Sequence, residues 1–79
     1  MRYSIRINGV VQPDRYPLMQ QACNKITPQM IWDNHSVIIY DGEKRGHFTA
    51  YHCTLPGNAF SGYTATPITE GEARKIENR

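Results

Sequence analysis

Apolar residues fall on alternate positions at the start of the chain. In RYSIRINGVVQ, Tyr3, Ile5 and Ile7 recur at period two, while Arg2, Ser4 and Arg6 take the opposite face. That alternation marks a half-buried strand. Asn8-Gly9 then separates Ile7 from Val10. This dipeptide tolerates the positive φ angles of a type I′ turn, whose twist matches paired strands, so the pattern predicts a first hairpin. Pro13 is expected to end it, because proline has no N–H to give to a ladder.

The period changes in YPLMQQACNKITP. Leu18, Met19, Ala22, Cys23 and Ile26 recur at helical spacing and form one stripe. Pro17 suits a first helical position, and Thr27, which precedes Pro28, is biased away from helical geometry. A helix over 17–27 is therefore predicted, covering one face of the sheet. MIWDNH, residues 30–35, fits either a short strand or a buried loop.

SVIIY and HFTAYHCT are rich in β-branched and aromatic residues, and DGEKRG between them carries glycine at both shoulders. They predict a second hairpin. If Asp41 pairs with His47, then Ile38 and Tyr40 share a face with Phe48, Ala50 and His52. Val37, Ile39, Thr49, Tyr51 and Cys53 take the other face, and a slip of one residue would mix the two sets. Both faces are partly apolar, which suits central strands with one face under the helix and the other incompletely covered. PGNAFSGY reads as a loop, and TAT, residues 64–66, has room for a short strand.

Near the end, Thr69 with Glu72 three residues later makes a capping box, and Ile68 with Ala73 has the spacing of a hydrophobic staple. A helix is predicted from Glu70 to about Asn78. Its apolar content is thin, Ala73 and Ile76 alone, and Gly71 weakens it. Together these elements predict one α+β domain over residues 1–79. It is a small, mostly antiparallel sheet of about four strands in two hairpins, with one main helix on one face and a short C-terminal helix.

Composition narrows the function classes. The 79 residues are 39% hydrophobic and 20% charged, a folding rather than a disordered balance. No apolar run approaches the roughly 18 residues of a membrane span, and the N-terminal segment lacks a signal peptide's continuous apolar stretch. A cytoplasmic protein without membrane contact is expected. A net charge of +2 is too weak for a strong nucleic-acid binder and has the wrong sign for a mimic of DNA. The two cysteines, Cys23 and Cys53, are expected as buried free thiols.

Candidate chemistry is sparse. Zinc sites bring ligands in close pairs, whereas His47 and His52 would point to opposite faces of a strand and the adjacent His52 and Cys53 diverge. Cys23 lies on the apolar stripe of the first helix, which favours an inert thiol over a nucleophile. PGNAFSG spaces its glycines as in a phosphate-binding loop, yet Tyr63 stands where the lysine would follow. Asp14, Asp33, Asp41 and Glu43 occupy turn contexts, and Glu70 and Glu72 suit a helix N-terminus. No enzyme, metal or cofactor is expected.

The leading expectation is a non-catalytic module that binds a larger protein or ribonucleoprotein complex as an inhibitor or regulator. A phage-type inhibitor of a host defence complex, of the anti-CRISPR sort, is one concrete form. Rigid aromatics and arginine dominate interface hot spots, which selects Tyr40, Lys44, Arg45 and Phe48 on the second hairpin, with Phe60 and Tyr63 in the loop after it. The alternative is a single-stranded nucleic-acid binder. There Tyr40, Phe48 and His52 would stack bases while Lys44 and Arg45 reach phosphates, with Arg2 and Arg6 adding charge. The chain is expected as a monomer or as a homodimer through open strand edges.

Overall fold

The computed structural model describes residues 2–44, 47–56 and 62–79. In chain order the elements are β1 (Tyr3–Ile7), β2 (Val10–Tyr16), α1 (Met19–Asn24), α2 (Pro28–Asp33), β3 (Val37–Asp41), β4 (Ala50–Thr54), β5 (Thr64–Ile68) and α3 (Glu70–Glu77). Among the described residues the strands form one antiparallel sheet in the order β2-β1-β3-β4-β5. The fold is α+β, as expected, with a fifth strand where TAT stands.

The first turn forms as its dipeptide dictates: Asn8 has φ 53° and Gly9 φ 83°. Asn8 also ties the turn to the chain leading into β3. Its N–H donates to the Ser36 carbonyl at 2.9 Å, and its side-chain oxygen accepts from the Ser36 N–H at 3.2 Å. The strand does not end at Pro13. It continues to Tyr16, and the register shifts between Ser4, opposite Arg15, and Arg6, opposite Val11. Pro13 falls inside that irregularity on an edge strand, where a missing N–H breaks no ladder.

Two helices replace the single one expected over 17–27. α1 ends early, closing with tighter bonds from Lys25 N–H to the Ala22 carbonyl and from Ile26 N–H to the Cys23 carbonyl. Thr27 and Pro28 then start α2: the Thr27 hydroxyl accepts from the Met30 N–H at 3.2 Å, and Pro28 occupies the first turn. The same pair that stops one helix starts another, and so Met30, Ile31 and Trp32 are helical rather than strand or loop.

In the second hairpin Ile38 pairs with His52, Ile39 with Tyr51 and Tyr40 with Ala50. The register differs by two residues from the pairing of Asp41 with His47, and the Asp41 N–H instead donates to the Thr49 carbonyl at 2.9 Å. A shift of two preserves alternation, so the expected faces hold for Val37 through Tyr40 and for Ala50 through Cys53, while His47, Phe48 and Thr49 lie ahead of the strand.

One sheet face packs Tyr3, Ile5, Val37, Ile39 and Cys53 against Ala22 of α1 and Ile26. The other packs Ile38, Tyr40, Ala50 and Ile68 against Ala73 and Ile76 of α3. Helices therefore lie on both faces, where one covered face was expected. The reason lies in β3, buried at every position from Val37 to Asp41. A strand apolar on both sides needs a layer on each. α3 begins as its capping box predicts, with the Glu72 N–H donating to Thr69 Oγ1 and the Thr69 N–H to Glu72 Oε1.

Candidate functional site

Two features stand out beyond the core: a charged cleft beside Tyr40 and a set of uncovered apolar side chains around α1, α2 and the first hairpin.

The cleft is built on β1, β3 and α3. Arg6, from β1, lays its guanidinium carbon 3.6 Å from the centre of the Tyr40 ring. Glu77, at the end of α3, receives the Tyr40 hydroxyl at 3.4 Å and stands 3.9 Å from Arg6 Nη1. Burial raises the Tyr40 phenol above its ordinary pKa, with Arg6 working against that rise. His35 Nε2 lies 3.1 Å from the Glu77 carbonyl, which ties the end of α3 to the approach to β3.

Asp41 closes the neighbouring corner. Its carboxylate takes a two-pronged pair from Arg2, at 2.7 and 2.8 Å, and accepts the backbone N–H groups of Glu43 and Lys44. The Arg2 hydrogen bonds, outweighing burial, hold Asp41 below the usual carboxylate range. This is the local hydrogen bonding expected of an aspartate in a turn, reinforced by a distant arginine. Between these two groups lies an open cleft of about 290 Å³.

Of the six residues selected from the sequence four are described, and these four are spread over both faces of the sheet and the loop before β4. Tyr40 is 9% exposed beneath Arg6, and Lys44 is half-buried with Nζ 6.0 Å from the Tyr51 ring. Both line the cleft. Phe48 is exposed and meets His47 edge-on at 4.3 Å. Tyr63 packs on the opposite core, donating its hydroxyl to the Cys23 carbonyl at 2.6 Å. Arg45 and Phe60 lie outside the described residues.

The groups considered for catalysis are dispersed. Cys53 is 1% exposed and burial pushes its thiol up to about 12, so it stays protonated. His52 sits half-buried on the α3 side, held below its ordinary pKa by burial and then by Arg79. Cys23 and Cys53 are both free thiols. Among the described residues no group of three or more His, Cys, Asp or Glu side chains could hold a metal ion. No described helix is long and apolar enough to cross a membrane.

The uncovered apolar residues escaped the sequence reading. Trp32 is 77% exposed, Val10 63%, Leu18 59% and Val11 44%. Met30 and Ile31 turn toward the α1-side core, and Trp32, one step further round the helix, points away. The signal was present in Thr27-Pro28: once a helix starts there, Met30 and Ile31 take the buried face and leave Trp32 outside. Asn8 and Asn34 join side chains at 3.0 Å, which places the end of α2 beside the first turn and Val10.

No protein-family model, curated protein or solved structure matches the chain.

Proposed function

We propose that this chain is a non-catalytic protein-binding module that inhibits or regulates a larger assembly by occupying part of its surface, a phage-type inhibitor of a host defence complex being one concrete form. The observation that supports it is Trp32, largely exposed on a helix that Thr27 caps. A large aromatic with few rotatable bonds loses little conformational freedom on docking, and tryptophan is among the residues enriched at interface hot spots. Val10 at the start of β2 and Leu18 at the N-cap of α1 are further exposed apolar side chains.

The nucleic-acid alternative needs Tyr40, Phe48 and His52 open on one sheet face. α3 lies on that face, Tyr40 already carries Arg6, and Phe48 is the exposed member of the three. Strand-to-strand dimerisation is also disfavoured. The two edge strands, β2 and β5, contain Pro13 and Pro67, each of which removes a backbone donor.

The test is affinity capture from native-host lysate, comparing the wild-type chain with Trp32→Ala. Circular dichroism would confirm that the variant folds. Recovery of one discrete assembly by wild type, and its loss with Trp32→Ala, supports the proposal. Equal recovery by both proteins, or recovery of nucleic acid that vanishes steeply with salt, overturns it.

A further inference from the structure

Asn8 is the one asparagine of the chain that a glycine follows. Its side-chain amide belongs to a relay that runs from the approach to β3 as far as α2. The Ser36 N–H donates to Asn8 Oδ1 at 3.2 Å, Asn8 Nδ2 donates to Asn34 Oδ1 at 3.0 Å, and Asn34 Nδ2 donates to the Met30 carbonyl at 2.8 Å. A backbone N–H can only donate and a carbonyl can only accept, so the two ends fix the orientation of both amides. The last bond occupies a carbonyl in the final turn of α2, where the helix itself leaves acceptors open. One exposed amide thus links the first turn to the helix that carries Trp32.

We propose that Asn8 is a site of spontaneous deamidation, that the relay restrains the reaction in the folded chain, and that the product disconnects α2 from the first hairpin. In the reaction the Gly9 backbone nitrogen bonds to Asn8 Cγ, and Nδ2 leaves as ammonia with the proton of that nitrogen. Water then opens the cyclic imide at either carbonyl, giving aspartate or isoaspartate at position 8. Glycine favours the attack, since no Cβ crowds the approach. Against it, Oδ1 and Nδ2 are both held, and Cγ cannot turn toward Gly9 until the relay opens. That opening is local and leaves the sheet folded. Once formed, the carboxylate still accepts from Ser36 but has no N–H for Asn34, whose oxygen then faces an anion. The switch operates whichever partner Trp32 meets.

The test follows the full chain by peptide mapping and mass spectrometry during incubation at mildly alkaline pH, with aspartate and isoaspartate separated by chromatography. Deamidation at Asn8 should be about tenfold or more slower in the folded protein than in guanidinium chloride. Asn34→Ala removes the acceptor and should speed the folded reaction several-fold. Asn34→Asp gives up the same bond to Met30 yet keeps an oxygen for Asn8 Nδ2, so its rate should stay slow, which separates the relay from loss of the helix end. Asn8→Asp supplies the product and suits the same turn. In that variant the amides of residues Ile31–Asp33 should exchange hydrogen several-fold faster while those of β3 and β4 stay unchanged. Equal rates in folded and unfolded chains, no acceleration in Asn34→Ala, or Asn34→Asp as fast as Asn34→Ala would overturn the restraint. Unaltered exchange in α2 of Asn8→Asp would overturn the disconnection.

Discussion

Arg6 lies flat against Tyr40, 3.6 Å from guanidinium carbon to ring centre, and Glu77 closes the stack from the far end of the chain. Three elements, β1, β3 and α3, meet in this one contact. Arg6→Met keeps the aliphatic stem but removes the cation over the ring and leaves the Glu77 carboxylate buried. It should destabilise the fold by about 1–2 kcal/mol. Glu77→Gln retains an acceptor for the Tyr40 hydroxyl and leaves Arg6 part-exposed, so its cost should stay below about 1 kcal/mol. Urea denaturation of both variants and of the double variant would measure the coupling.

Acid should weaken the protein in two steps. His52 is held below its ordinary pKa, so as pH falls past about 6.5 the unfolded chain takes up a proton before the native one does, and stability declines. Asp41 is also depressed, by Arg2 first. Its contribution is complete above the unfolded carboxyl value of about 4 and is lost as pH falls through the lower, folded value. In urea midpoints measured against pH, His52→Gln should flatten the first step alone and Asp41→Asn the second.

Thr27→Ala should cost about 1 kcal/mol through the lost cap on α2. Trp32 is the single tryptophan and is already exposed, so its fluorescence should shift little on unfolding. A marked blue shift and protection from acrylamide should appear when a partner covers it. Quenching titrations on free and bound protein would check both expectations.

Thiol reagents should distinguish the two cysteines. Cys23 is half-buried in α1, whereas Cys53 is enclosed and protonated. Iodoacetamide should modify Cys53 only through unfolding, at a rate that scales with reagent concentration and with the small population of the open state. Mass spectrometry of native samples taken over time, against a urea-unfolded control, would follow each site.

What was legible in the sequence is what short-range chemistry specifies. Asn8-Gly9 set the first turn and Thr69 with Glu72 set the start of α3. Period-two alternation sorted Val37 through Tyr40 and Ala50 through Cys53 onto their faces, because a register shift by an even number leaves the sorting intact. Less legible was anything that depends on a distant partner. Thr27-Pro28 can end or begin a helix, and whether Ile26 and Met30 can be buried together decides between them. The run Val37-Ile38-Ile39-Tyr40 does call for two covered faces, yet two apolar residues in α3 gave no sign of which face it would cover. Tyr40 drew attention as an aromatic on a hairpin. Its burial follows from Arg6 and Glu77, near the two ends of the chain, and no local pattern joins them.

Pro13 and Pro67 bear on more than dimerisation. A strand margin with a continuous row of amide donors can seed cross-β fibrils, and exposed apolar side chains nearby add to that hazard. Here both flanks of the sheet carry a residue that interrupts the row. The prolines thus lower the aggregation risk of a chain that exposes Trp32, Val10 and Leu18. Replacing Pro67 with a β-branched residue would remove this safeguard from one flank without touching Trp32, Val10 or Leu18.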